Sequence, residues 1–293
     1  MSDESSSQPG GVSVRDPRPP RVAVQVAPQH LSYADIRRMC AALEELGVDV
    51  LFNWDHFFPL SGDPDGLHFE CWTMLAAWAE ATERIELGAL VTCNSYRTPA
   101  LLADMARTVD HISAGRLILG IGSGWFERDY AEYGYEFGTA GGRLDALDRD
   151  LPIIKDRWAR LNPPPTRPIP VLVGGGGERK TLRIVAEQAD IWHGFGGPAE
   201  VAHKHEVLDQ WCAQVGRDPL TVERSAGVSV RGRDPEPEGV DYAENAQALY
   251  DVGTRLVTFG LNTPAAAAAG LRFDLGPVRA LLDWRDDILR TRR

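Results

Sequence analysis

Residues Val171 to Leu182 read VLVGGGGERKTL: a short apolar run opens into four consecutive glycines, Gly174 to Gly177, and closes into residues that favour a helix. That order of strand, bare backbone and helix start is the joint of a β/α unit, and it sets how the flanking chain is read. Glycine backbone ahead of a helix also offers several N–H groups and the positive end of a helix dipole to one anion, most often a phosphate. A phosphorylated cofactor is therefore expected on this turn. Neither common glycine signature fits, because the P-loop lysine and hydroxyl are missing from their spacing and Gly-x-Gly-x-x-Gly fails at its third glycine. Taken alone, the stretch is also open to a plainer reading as a tight turn and helix start.

Working outward, eight short apolar runs lie near residues 22–27, 49–53, 85–92, 117–122, 170–174, 190–195, 222–230 and 255–261. Most of the segments between them carry helical spacing. After the first run, Ser32 with Asp35 forms a capping box, Ile36, Met39, Cys40, Leu43 and Leu46 make one stripe, and Gly47 stops the helix. Thr98 and Pro99 start another helix with Leu101, Leu102, Met105, Val109 and Ile112 on its apolar face and Gly115 after its end. Leu144, Leu147, Leu151, Ile154 and Trp158 mark a third. Eight strands alternating with helices close most naturally into a parallel (β/α)8 TIM barrel, since doubly wound sheets usually have fewer strands and need an edge. Two segments exceed the minimal unit, an aromatic and Gly-rich connection from Trp125 to Gly142 and a Pro-rich crossing from Arg160 to Pro170.

The 293 residues are 43% hydrophobic, enough for one large core, so a single barrel domain is expected over 21–293 behind a mobile tail at 1–20, rich in Ser, Pro and Gly. A net charge of −11 and a pI near 5.1 argue against nucleic acid or an anionic membrane as partner and leave a small-molecule substrate. Cys40, Cys71, Cys93 and Cys212 form no C-x-x-C pair and no signal sequence opens the chain, so cytoplasmic residence is expected. No apolar run approaches the roughly 20 residues that span a bilayer.

In such barrels the chemistry gathers at the carboxyl ends of the strands. Trp54-Asp55-His56 places a carboxylate and an imidazole there; His56 is suited to donating or accepting a proton, Asp55 to orienting a ring, although a turn-capping Asp beside a filler His would read the same. Leu90 to Tyr96, LVTCNSY, suits hydrogen bonding to a flat heterocycle, and Ile121 to Trp125, IGSGW, offers backbone approach and an aromatic for stacking. A polar loop, and a turn with a core Trp, are the plain alternatives. No metal is expected: His203 and His205 face apart on a helix and nothing completes a ligand set. Ser-His-Asp hydrolysis finds no Gly-x-Ser-x-Gly elbow. Asp104, Arg107, Asp110 and His111 cluster on the Pro99 helix, away from the carboxyl rim, as a structural salt-bridge network or a subunit contact.

LFNWDHF, LVTCNSYRTPALLADMARTVDHISAGRLILGIGSGWFERDY and VLVGGGGERKTL, in that order, resemble the bacterial-luciferase-like family of barrels and its branch that uses the deazaflavin coenzyme F420. The resemblance runs from about Arg21 to at least Ser225. It implies a cofactor phosphate on Gly175, Gly176, Gly177, Glu178 and Arg179, and a non-proline cis bond placed at Ala89-Leu90 by counting back from Arg97. It further implies that Asp55 contacts the deazaflavin ring, that His56 is the acid/base partner, and that Thr92, Asn94, Gly122, Ser123, Gly124, Trp125 and Tyr130 lie along the ring and ribityl chain. Hydride transfer between F420 and a small organic substrate is the activity implied, with an FMN-dependent monooxygenase or a flavin- or deazaflavin-binding protein without turnover as alternatives, and a homodimer as the assembly. Where the sugar-phosphate dehydrogenase branch carries a glutamate after the G-x-G turn, this chain has Trp125, which speaks against glucose 6-phosphate.

Overall fold

The computed structural model describes residues 16–228, 239–261 and 274–292. Parallel strands β1 (Arg21–Val26), β2 (Val50–Asn53), β3 (Glu86–Ala89), β4 (Thr92–Cys93), β5 (Leu117–Gly122), β6 (Val171–Gly174), β7 (Ile191–Gly194), β8 (Glu223–Gly227) and β9 (Leu256–Leu261) run in one sheet. β1 pairs with both β2 and β9, and β5 receives both β3 and β4, so the sheet closes. β3 and β4 are two halves of one staff, and the barrel has eight positions.

Helices α1 (Tyr33–Leu46), α2 (Cys71–Ala81), α3 (Pro99–Ile112), α4 (Glu127–Tyr133), α5 (Ala140–Arg160), α6 (Thr181–Gln188), α7 (Pro198–Gln214), α8 (Tyr242–Asp251) and α9 (Gly276–Thr291) lie between and after the strands. Their ends follow the local chemistry. Ser32 Oγ accepts the Asp35 N–H at 3.2 Å, and Gly47 stops α1 at φ 84°, a left-handed conformation open to glycine. Thr98 caps α3 in the same way.

Strand alternation sorts the side chains into two populations. Val22, Val24, Leu51, Leu87, Leu119, Val173, Trp192, Ala226 and Val257 point outward into the core shared with the helices. Ala23, Val50, Phe52, Ile118, Leu172, Ile191 and Leu256 point inward and fill the barrel. Below this plug, Arg21 bridges Glu86 (2.5 Å) and Glu223 (2.6 Å), and Arg167 joins Glu86 at 3.0 Å. Four charged groups thus close the amino-terminal end.

The third staff departs from the expected cis register. The ladder holds through Ala89, which pairs with Asn53, and the Leu90 N–H still donates to the Asn53 carbonyl at 2.8 Å. The non-proline cis bond therefore falls one residue later than Ala89-Leu90, at Leu90-Val91. The glycines of β5 and β6 take their meaning from this bulge. A Cβ on Gly120 would lie 1.9 Å from the Ala89 carbonyl oxygen, and Cβ atoms on Gly122 and Gly174 would lie 2.7 and 2.9 Å from the Val91 methyls.

The cluster on α3 clips the Pro-rich crossing. Asp110 accepts from the Thr166 N–H (2.7 Å) and hydroxyl (2.8 Å), and His111 and Arg107 reach the carbonyls of Pro164 and Pro163. At the tail boundary, the Asp16 carbonyl accepts from Arg255, and Arg292 donates to the carbonyls of Pro17 and Arg18. Residues 16–20, assigned by sequence to the tail, thus run against the barrel's lower face.

Candidate active site

At the end of β2 the chain turns Asp55 and His56 to different partners. Asp55 is buried, and its carboxylate accepts two guanidinium N–H groups of Arg97, at 2.6 and 3.1 Å, and the Cys93 N–H at 3.0 Å. Burial raises the proton affinity of Asp55, while the Arg97 charge and these hydrogen bonds oppose it. Burial also works against the charge on Arg97, but Asp55 and Glu70 outweigh it and hold the guanidinium above its ordinary value. Arg97 reaches Glu70 at 2.6 Å, and Glu70 accepts the Trp72 and Thr73 N–H groups that begin α2. One ion-paired chain thus ties the end of β2 to β4 and α2.

His56 instead binds Asp129, the fully buried carboxylate of α4, with Nδ1 and Oδ2 at 2.7 Å. Asp129 also accepts the Tyr96 hydroxyl (2.8 Å) and the Phe57 N–H (3.1 Å). A carboxylate with three donors fixes the imidazole with its proton on Nδ1 and leaves Nε2 without a partner among the described residues. Trp125 and Phe126 meet the His56 ring edge-on at 5.7 and 5.4 Å, and Trp54 at 6.3 Å. Trp125 itself is 63% exposed, a large apolar surface beside the imidazole. His68 accepts the Trp54 indole N–H at 3.1 Å, and burial pushes its pKa down to about 4, so it stays neutral.

The glycine turn after β6 is pinned from below and open above. The Gly175 N–H donates to the His193 carbonyl (3.0 Å), and the Trp192 indole donates to the Gly175 carbonyl (2.8 Å). Cβ atoms on Gly175 and Gly177 would press on Thr181, whereas one on Gly176 would meet nothing nearer than Lys204 Cε at 3.9 Å. Among the described residues, the N–H groups of Gly176 and Gly177 have no hydrogen-bond acceptor and the exposed Arg179 side chain has no partner. The Glu178 carboxylate is turned to α7, accepting from Lys204 (2.5 Å) and His203 (3.1 Å), which hold its pKa below the ordinary value. Its carbonyl accepts the Trp211 indole N–H at 2.7 Å. A turn pinned by two hydrogen bonds, with two amides and one guanidinium unengaged among the described residues, fits a phosphate.

The remaining residues singled out from the sequence divide. Ala89 and Leu90 form the bulge wall, and the Leu90 carbonyl accepts from Gln25 at 2.6 Å. Thr92 is buried, its hydroxyl without a partner among the described residues. Asn94 is turned outward, its amide donating to Asp150 of α5 at 2.9 Å. The space over Gly122 belongs to Val91, and Gly124, at φ 81°, lets the Tyr130 hydroxyl approach, since a Cβ there would lie 2.0 Å from it. Tyr130 packs beneath the rim, its hydroxyl 3.2 Å from Cys93 Sγ and 3.0 Å from Ser95 Oγ, with the Ser123 carbonyl at 3.4 Å. The sequence assigns no role to Asp129, marks Tyr96 only as the end of the Leu90–Tyr96 stretch, and uses Arg97 only to place the cis bond. Asp129 stands 73 residues from His56, and no local spacing links them. Among the described residues no three His, Cys, Asp or Glu side chains gather as a metal site, and no helix is long and apolar enough to cross a membrane.

Residues 17–147 match the profile of the luciferase-like monooxygenase family. A putative coenzyme F420-dependent oxidoreductase of Mycobacterium tuberculosis is 32% identical over 183 residues, 59% of this chain and 49% of that protein. An F420-dependent glucose-6-phosphate dehydrogenase of Amycolatopsis mediterranei is 27% identical over 176 residues, 54% and 52% of the two chains. The chain thus spans about half the length of these curated relatives. An F420-dependent secondary alcohol dehydrogenase in complex with an F420-acetone adduct superposes with a TM-score of 0.76 at 15% identity, over 90% of this chain and 99% of that one. The FMN complex of the oxygenating constituent of 3,6-diketocamphane monooxygenase from Pseudomonas putida gives 0.67 at 14%, over 91% and 97%. These two likenesses show the fold.

Proposed function

We propose that this chain, which belongs to the luciferase-like family, is an oxidoreductase that transfers a hydride between coenzyme F420 and a small organic substrate. The observation that carries this reading is the turn after β6: rigid below, open above Gly176, and lined by amides and an arginine without partners among the described residues. Gly176, Gly177 and the backbone of Glu178 would hold the phosphate through N–H groups, with Arg179 supplying charge, while the Gly175 N–H that the resemblance also assigns to the phosphate is taken by the His193 carbonyl. F420, when bound, supplies the hydride chemistry; the chain supplies orientation and exclusion of water.

His56 is the residue best placed to hold or move a proton at the mouth. Asp129 keeps its Nδ1 occupied and its Nε2 available, and Trp125 and Phe126 limit access of water to the ring. Asp55 acts differently from the ring contact that resemblance implies. It anchors Arg97 and the Cys93 N–H, setting the position of the bulge and the β4 loop. A proton-donating glutamate is absent where Trp125 stands, which favours a substrate other than glucose 6-phosphate.

The FMN-bound fold neighbour keeps an FMN-dependent monooxygenase as the second reading. Titrating the purified protein with F420 and with FMN, following fluorescence, separates them. Submicromolar F420 binding with weak FMN binding is expected; tight FMN binding without F420 uptake overturns the choice. Binding of F420 with no turnover of any alcohol, ketone or enone panel leaves the binding-protein reading.

A further inference from the structure

The barrel mouth has a polar wall that the proposed proton chemistry does not use. In β7, Ile191 points into the barrel and Trp192 into the outer core, so His193 points inward, one level above the apolar plug. In β8 and β9, outward Ala226 and Val257 make Ser225 and Thr258 inward in the same way. His193 is 2% exposed and its Nδ1 lies 2.8 Å from Ser225 Oγ, while its Nε2 has no partner among the described residues. The Thr258 hydroxyl is buried and has no partner among the described residues. Buried polar groups are ordinarily satisfied, so an open imidazole nitrogen on the inner wall, with an unpartnered hydroxyl two staves further round, points to a hydrogen-bonding ligand.

Position says which part of that ligand. His193 pairs with Gly174 in the ladder, and its carbonyl anchors the Gly175 N–H, so the imidazole stands at the foot of the anion turn. β7 is four steps from β2 around the eight-position barrel, which puts His193 across the mouth from His56. A ligand with its phosphate on the turn and its ring near His56 must pass its connecting chain in front of His193. In both F420 and FMN that chain is ribityl, with three hydroxyls. Burial pushes the His193 pKa down to about 4, so near neutral pH the ring has one donor and one acceptor and suits hydroxyls.

We propose that His193, oriented by Ser225, binds the ribityl hydroxyls of the cofactor. The inference rests on the cofactor reading above and goes beyond it by giving the linking chain its own binding residue. The test compares fluorescence titrations of three ligands on the wild-type protein and His193→Phe: F420, the phosphate-free deazaflavin that keeps the ribityl chain, and the N10-methyl deazaflavin that lacks it. Loss of one hydrogen bond should weaken F420 and the ribityl deazaflavin about five- to tenfold. The N10-methyl compound should stay within about twofold, and His193→Gln should recover most of the loss. Ser225→Ala, which only frees the imidazole, should weaken the same two ligands about two- to threefold and carries the comparison should His193→Phe not fold. Unchanged affinity for the ribityl deazaflavin, or an equal loss for all three ligands, overturns the assignment. Failure of the wild-type protein to bind any of the three instead overturns the cofactor reading.

Discussion

Replacing Gly176 by Asp tests the anion turn at its most permissive point. A Cβ there meets nothing nearer than Lys204 Cε at 3.9 Å, and the φ of Gly176 is outside the left-handed range, so the variant should fold. The new carboxylate would stand one side-chain length, about 5 Å, from a phosphate on the turn. Coulomb's law gives about 0.8 kcal/mol of repulsion per unit charge at a dielectric of 80 and about 3.3 kcal/mol at 20, so affinity should fall about 4- to 250-fold. Lys204 offsets part of this, but it already binds Glu178 at 2.5 Å, which favours the middle of the range. Gly176→Asn, equal in size and uncharged, is the control and should lose no more than about threefold. The gap between Asp and Asn should narrow as ionic strength rises past about 0.5 M, because screening acts on the charge alone. F420 fluorescence titration of the three proteins reads all of this. Equal affinity of the Asp and Asn variants would move the phosphate off this turn and take the cofactor assignment with it.

Further outcomes follow from the rest of the site. His56→Ala should cut turnover by about 10²- to 10⁴-fold with F420 affinity within about threefold, and a matching fall in affinity would make His56 a binding residue instead. Asp129→Asn should reproduce much of that loss at an unchanged fold, judged by circular dichroism, because it removes the acceptor that fixes Nδ1. Asp55→Asn leaves Arg97 short of a partner in a buried pair and should cost about 3–5 kcal/mol, lowering the melting temperature by roughly 10 °C; a shift under 2 °C would refute the anchoring role. Burial pushes His193 and His205 down to about 4 from 6.5, so the unfolded chain takes up their protons first and stability falls as pH drops from 6.5 towards 4. Between pH 7 and 5 the two together should remove about 4 kcal/mol, read by urea unfolding, and His205→Gln should flatten that slope.

How much of this was legible follows from how locally each feature is encoded. The β/α alternation and the caps at Ser32, Gly47 and Thr98 rest on residues within one turn of each other, so the barrel could be read from spacing. The glycines of β5 were legible as glycines but not in purpose. Sequence offered Gly122 to a ligand, whereas its missing Cβ makes room for Val91 on the neighbouring staff. The cis bond slipped by one residue because a count from Arg97 does not register that Leu90 still donates to Asn53. Asn94 read as a mouth residue because its loop leaves a barrel strand; a 3-10 turn over Asn94–Tyr96 swings its amide to Asp150 instead.

Asp55 and His56 make the same point at the level of chemistry. Adjacent in sequence, they invite reading as one acid/base pair. At the end of a strand, however, consecutive side chains leave in opposite directions, and no hydrogen bond joins these two. Asp55 goes to Arg97 and the β4 backbone, where a buried ion pair holds geometry; His56 goes to Asp129, whose carboxylate arrives from α4 beyond β5. The division explains why two carboxylates are needed near one imidazole. A group that both anchored Arg97 and oriented His56 would couple every movement of the β4 loop to the position of the imidazole. With separate carboxylates, the loop can be held by an ion pair while the imidazole is set by Asp129, whose carboxylate is held by two further donors, one of which, the Phe57 N–H, comes from the residue after His56 itself.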